Sequence, residues 1–202
     1  GEAGRRRARD RFSLDGAAAA HESLYAEILG RPAAAPRARA RLLLVARAGT
    51  GGAGRHLRML VEGLDRSRFA VTVAVSPLED PAFPAALEGL GARVVPVEMA
   101  RDPSPVQDLR AFRAVRALVR SGEFDLVHAH ASKPGAFARL AALRAGVPVV
   151  YTPHGWYFEY APSAARRALY LLAERRLAAM GGIVHCVSER EAQAAVREGI
   201  LP

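Results

Sequence analysis

The chain has 202 residues, enough for one α/β domain with its own core, and half of them are hydrophobic. That balance excludes an intrinsically disordered chain, and no apolar run approaches the roughly 18 residues of a membrane-spanning helix. The formal charge of +9 rests almost wholly on arginine, with Lys133 the single lysine, and it favours anionic partners such as nucleotides and phospholipid headgroups.

Residues 1–31 read as a helical segment apart from the rest. Ser13 is placed to cap a helix whose apolar positions are Leu14, Ala17, Ala20 or His21, Leu24 and Ile28, and Gly30 with Pro32 stops it. Residues 32–40, rich in Pro and Ala, read as a linker. From residue 41 strand and helix alternate. Leu42 to Val45 is a continuous apolar run, the mark of a strand buried on both faces. A glycine-rich turn and a helix at about 54–64 follow, then strands at 71–75 and 93–97 with a helix at 82–90 between them. A helix at 106–121 leads to a strand at 125–128, a helix at 134–145 to a strand at 147–151, and a helix at 163–180 to a strand at 183–187. The last helix starts near Ser188. This alternation predicts crossover units, and hence one doubly wound parallel α/β sheet over residues 41–202 with an N-terminal helical appendage. Cys186, the single cysteine, sits in the final apolar strand as an inert thiol; no intrachain disulfide is possible, which fits a reducing compartment.

In an open parallel sheet, ligands bind beyond the carboxyl ends of the strands. The first such tip is Gly49-Thr50-Gly51-Gly52-Ala53-Gly54, where glycines admit a close ligand and the next helix aims its free N–H groups at a phosphate. Gly49, Gly51 and Gly54 also meet the spacing of a dinucleotide fingerprint, but the second strand ends in Ser76-Pro77 where that reading wants an acid. The fourth tip carries His128 and His130 on one side of an extended segment, followed by Ser132, Lys133 and Pro134. His128 lies deeper and reads as a satisfied core histidine; His130 lies further out, as the candidate functional group. Two histidines with no third ligand evident predict no metal. Ser132 is placed to cap the next helix with Pro134 in its first turn, and Lys133 either pairs with an anion or is solvated. The fifth tip, Thr152-Pro153-His154-Gly155-Trp156-Tyr157-Phe158, breaks the strand and places aromatics nearby. Trp156 reads equally as a wall for a sugar or lipid and as loop packing, and Phe158 as packing.

The run from His128 to Ala142, the run from Gly146 to Trp156, the loop Gly51-Gly52-Ala53-Gly54-Arg55-His56-Leu57 and the ending Val187-Ser188-Glu189-Arg190-Glu191 together resemble family-4 retaining glycosyltransferases of the GT-B fold. The resemblance covers residues 41–202. It implies two Rossmann-like domains with the site between them, of which this is the N-terminal, acceptor-side one. It further implies that Gly51, Gly52 and Ala53 approach the donor diphosphate and that His130 contacts the transferred sugar. His154, with Gly155, Trp156, Ser132 and Lys133, would line the acceptor side. No metal and no cofactor is implied beyond the nucleotide-sugar donor. The acceptor is expected to be a glycan or lipid-linked. The family's C-terminal donor domain, with its glutamates, is expected to be a missing partner of this chain. Arg9 to Leu14 and His21 to Tyr25 resemble the C-terminal helices of the same family, as in a tandem fusion or a fragment of one.

Arg5, Arg6, Arg7, Arg9 and Arg11 read as a solvated face. Arg166, Arg167, Arg175 and Arg176 flank Leu169 to Leu172, a pattern that suits either an ordinary amphipathic helix or contact with an anionic membrane. Basic residues without an interleaved aromatic platform argue against nucleic acid. The expected protein is thus a cytoplasmic glycosyltransferase domain of polysaccharide biosynthesis, peripheral at the inner face of the cell membrane. The rivals are a non-catalytic binding module and an NAD-dependent oxidoreductase.

Overall fold

The computed structural model describes residues 2, 13–30, 39–47 and 49–202. The arginine run at 5–11 and most of the 32–40 segment fall outside the described residues. In chain order the elements are α1 (Leu14–Ile28), β1 (Ala40–Ala46), α2 (Gly51–Gly63), β2 (Phe69–Val75), α3 (Phe83–Gly89), β3 (Arg93–Pro96), α4 (Pro105–Arg120), β4 (Leu126–His130), α5 (Ser132–Ala145), β5 (Val149–Thr152), a 3₁₀ turn (Tyr157–Tyr160), α6 (Ala164–Ala179), β6 (Ile183–Val184) and α7 (Glu189–Arg197).

The strands form one parallel sheet in the order β3-β2-β1-β4-β5-β6. The winding direction reverses between β1 and β4, so the crevice for a ligand opens at their carboxyl ends. The apolar run of β1 is explained by its two buried faces. Leu42, Leu44 and Ala46 join the core under α1, α2 and α3, whereas Leu43 and Val45 join the core under α4 and α5. A third cluster, Tyr151, Trp156, Phe158, Leu171, Ala194 and Ala195, lies beneath α6 and α7.

Ser13 caps α1 as its position suggests, accepting the Gly16 N–H at 3.1 Å. The helix is docked on the sheet domain. Glu22 accepts from Arg68 at 2.6 Å and from the Asp65 N–H at 2.6 Å. Ala18 lies so close to Gly63 that a Cβ on that glycine would meet the Ala18 methyl at 2.6 Å. Tyr25 is fully buried.

Three differences from the sequence expectation bear on the site and its sheet. Helix α2 begins at Gly51, not near 54, because its first turn is built of glycines that carry no periodicity to read. There Gly54 lies against the loop, and a Cβ would stand 1.9 Å from the Gly49 carbonyl oxygen. Strand β6 starts at Ile183 as expected but keeps two residues and not five, since only Ile183 and Val184 pair with β5 at the sheet edge. Ser132 does not cap α5. The cap position is Ala131 at φ 69°, and Ser132 is already the first helical residue.

Candidate functional site

Three strand tips converge on one rim. At the first, Thr50 makes no side-chain cap, so the N–H groups of the first turn of α2 are left without an acceptor from it. Cβ directions at Gly51 and Gly52 meet nothing within 4 Å. The backbone there is open to a ligand. At the second and third tips the chain enters the left-handed region at two non-glycine residues, Ala131 (φ 69°) and His154 (φ 56°). Strain of this kind is held in place at functional sites by the surrounding structure.

The chain has six histidines, and all of them meet at this rim: His21 from α1, His56 from α2, His128 and His130 from β4, His154 after β5 and His185 after β6. Ring centroids of His56, His130 and His154 form a near-equilateral triangle with sides of 4.9, 5.3 and 5.5 Å. His21 lies 4.6 Å from His185 and 5.0 Å from His56. His128 is the satisfied core histidine expected of it: Nδ1 meets the Tyr25 hydroxyl at 2.6 Å and Nε2 meets the Thr152 hydroxyl at 2.8 Å. His130 shares a 3.1 Å hydrogen bond from Nδ1 to Nε2 of His154, while its own Nε2 is buried without a partner. Desolvation is the first cause of depressed imidazole basicity throughout, reinforced by the neighbouring rings in all but His21. It holds His56 down to about 3, and His154 and His185 to about 4. His128, His130 and His21 are lowered too, with burial again the first cause. The rim is therefore a set of neutral imidazoles, able to hydrogen-bond hydroxyl groups without carrying charge.

Beside this rim opens a cavity of about 600 Å³, lined by Arg47, Ser132, His154, Gly155, Tyr157 and Tyr160 among others. Two sequence assignments change here. His130 exposes no surface and lies beneath its neighbours, so the imidazole that faces the cavity is His154. Trp156 is fully buried, and its indole N–H donates to the Glu191 carbonyl at 2.9 Å while its ring stacks on Phe158. Its bulk belongs to the third core and not to a ligand wall. Lys133 lines the cavity, but its ammonium already donates to the Ala100 and Asp102 carbonyls and to Asp108, at 2.8, 2.7 and 2.7 Å. Those bonds engage all three ammonium donors and tie the loop before α4 to α5. The His154-Gly155 corner is held from below. The Gly155 N–H donates to the buried Glu191 carboxylate, which also accepts from the Val187 N–H at 2.9 Å.

Besides His21, His56 and His185, a buried ion pair at this site escaped the sequence reading. Arg139 is buried at 1 % exposure, donates to Glu174 at 2.7 Å and stacks over the Tyr151 ring at 4.0 Å. Glu174 also accepts from the Tyr151 hydroxyl at 3.1 Å and lines the cavity. The signal was a lone arginine inside the otherwise apolar stretch Phe137 to Ala142. The dinucleotide alternative finds no anchor at the tip of β2. The Ser76 hydroxyl accepts from the Met99 N–H at 3.1 Å, and Glu79 is ion-paired with Arg47.

A six-stranded sheet in this order, with glycines and histidines at its switch point, defines a Rossmann-like α/β domain of the kind found in GT-B proteins. The model of the glycosyl transferase 4-like domain family matches residues 51–202, and the chain belongs to that family. A curated relative from Escherichia coli, the UDP-Gal:alpha-D-GlcNAc-diphosphoundecaprenol alpha-1,3-galactosyltransferase, is 30 % identical over 101 residues, half of this chain and 26 % of the relative. The match thus spans about a quarter of the relative's length. Among solved structures, sucrose-phosphate synthase from Thermosynechococcus elongatus superposes with a TM-score of 0.57 at 15 % identity, over 80 % of this chain and 45 % of that one. A UDP-N-acetylglucosamine 2-epimerase gives 0.51 at 13 % identity, over 80 % and 45 % respectively. These two share the fold. No helix among the described residues is long and apolar enough to cross a membrane.

Proposed function

We propose that this chain is the acceptor-side domain of a retaining glycosyltransferase that takes a sugar from a nucleotide-sugar donor. One observation carries the reading. The uncapped N-terminus of α2 and the strained His154 corner lie on the same rim, joined through His56 five residues beyond Gly51, and His154 lines the cavity beside it. The amides of Gly51, Gly52 and Ala53 meet the donor diphosphate, where the helix N-terminus offsets the charge that grows as the sugar departs. The bond from the anomeric carbon to the diphosphate oxygen breaks, and the acceptor oxygen bonds to the same face of that carbon. The acceptor proton passes to the departing diphosphate. His154 hydrogen-bonds the sugar as a neutral imidazole. His130 is a positioning residue that fixes the ring of His154 from beneath. A second domain facing this rim would hold the nucleotide, and no metal or other cofactor enters these steps.

The acceptor we propose is lipid-linked, in keeping with the chemistry named for the Escherichia coli relative. Tyr157, Tyr160 and Tyr170 supply an apolar wall and Arg47 a cation at the cavity. On α6, Leu169 and Leu172 are exposed beside Arg166, Arg175 and Arg176, as a helix lying on an anionic cytoplasmic leaflet requires. Sedimentation with liposomes is expected to bring the protein down with anionic phospholipid and to leave it in solution with neutral phospholipid. Equal binding to both would remove the membrane reading.

The transfer reading is tested on the protein that carries this domain, assayed with radiolabelled UDP-hexoses and a lipid-diphosphate-linked N-acetylglucosamine acceptor. His154→Ala is expected to lower kcat by roughly 10²–10³-fold, the usual cost of one lost transition-state donor. His130→Ala is expected to lower it less, about tenfold, with recovery in His130→Asn, which restores a donor to His154. Wild-type turnover in His154→Ala sinks the proposal.

A further inference from the structure

We infer that His56, His130 and His154 form a binding site for a divalent transition-metal ion of the zinc class. One ligand nitrogen from each of the three lies within 4.8 Å of the others, and they come from α2, the end of β4 and the loop after β5. Tetrahedral coordination at zinc–nitrogen distances of about 2.0–2.1 Å separates neighbouring nitrogens by roughly 3.4 Å. Small side-chain rotations close that gap, since the rings are already arranged as a triangle.

A second observation is independent of this spacing. His130 is fully buried, and its Nε2 has no hydrogen-bond partner; the Nε2 of His56 is likewise buried and unpartnered. Orphaned buried nitrogens are costly, and a metal ion is one partner that would satisfy them. Three neutral imidazoles with a fourth position open are the ligand set of a zinc site that keeps an exchangeable ligand. Of the three, His154 also lines the cavity. Hard cations such as Mg²⁺ and Ca²⁺ take oxygen ligands and have no claim on this set.

The inference does not rest on the transfer reading. Where both hold, the ion occupies the imidazole that the transfer uses, so zinc inhibits the reaction. The test is titration of the metal-free protein with Co²⁺, read by visible absorption. One equivalent is expected to give the intense bands of tetrahedral cobalt, which Zn²⁺ then displaces. Zn²⁺ is also expected to raise Tm. In His56→Gln and His154→Gln the bands and the Tm rise are lost, with affinity falling by more than the roughly 10–100-fold that outer-shell changes cost. In His185→Gln, a histidine of the same cluster outside the triad, both persist. Circular dichroism identifies variants that retain the fold. Weak octahedral spectra in the wild type, or tight tetrahedral binding that survives His56→Gln and His154→Gln together, overturns the inference whatever the transferase assay shows.

Discussion

Urea midpoints are expected to fall steeply as the pH is lowered from 7 to 5, before the bulk of the carboxylates titrate. The six histidines are held below their ordinary basicity in the folded chain, first by burial and, in all but His21, then by neighbouring rings. The unfolded chain takes up a proton at each as the pH passes about 6.5. The folded chain does not until about 4 for His154 and His185 and about 3 for His56. Unfolding therefore binds protons throughout that window. Stability is full above about pH 7 and drains away as the pH falls, with the loss levelling only once the folded values are passed. Each such proton contributes about 1.4 kcal/mol per pH unit. Several imidazoles titrating as a set bring the slope to several kcal/mol per unit, against a total stability of roughly 5–15 kcal/mol. His185→Gln removes one titrating ring, held down to about 4, and is expected to flatten the slope by about one proton. A midpoint that stays constant between pH 7 and 5 would show that the cluster is open to water and charged.

The second large effect is expected at Glu174. Its carboxylate is the counter-charge of Arg139, whose side chain is 2 % exposed, and the two meet at 2.7 Å. Glu174→Ala leaves a buried guanidinium whose Nη1 already lacks a partner. Removing one member of a buried pair costs about 3–5 kcal/mol, because the other charge stays desolvated. For a domain of this size that corresponds to a Tm lower by roughly 6–20 °C. The double variant Glu174→Ala with Arg139→Met is expected to regain most of the loss, since an apolar side chain of similar length has no charge to strand. Differential scanning calorimetry of the two variants decides the matter. If the double variant is no better than the single one, the loss comes from packing around Tyr151 and not from the unpaired charge.

The alternation of apolar runs with helical periods was enough to order the strands and helices along the chain, because burial of a parallel strand on both faces leaves a continuous apolar run such as Leu42 to Val45. The glycines at 51 and 52 and the break at Thr152 to Gly155 were legible for a similarly local reason: backbone that must approach a ligand or turn left-handed needs particular residue types. Nothing local links residue 56 to residues 130 and 154, or 21 to 185. Those meetings exist because the sheet order sets β4 between β1 and β5 and because α1 folds back over the same face. Trp156 shows the same limit from the other side. Its place in the chain suited a ligand wall, and only the docking of α7, through Glu191, turned the ring inward. Residue type and spacing act over a few positions of backbone, whereas the chemistry of this rim depends on side chains that are neighbours only once the sheet has formed.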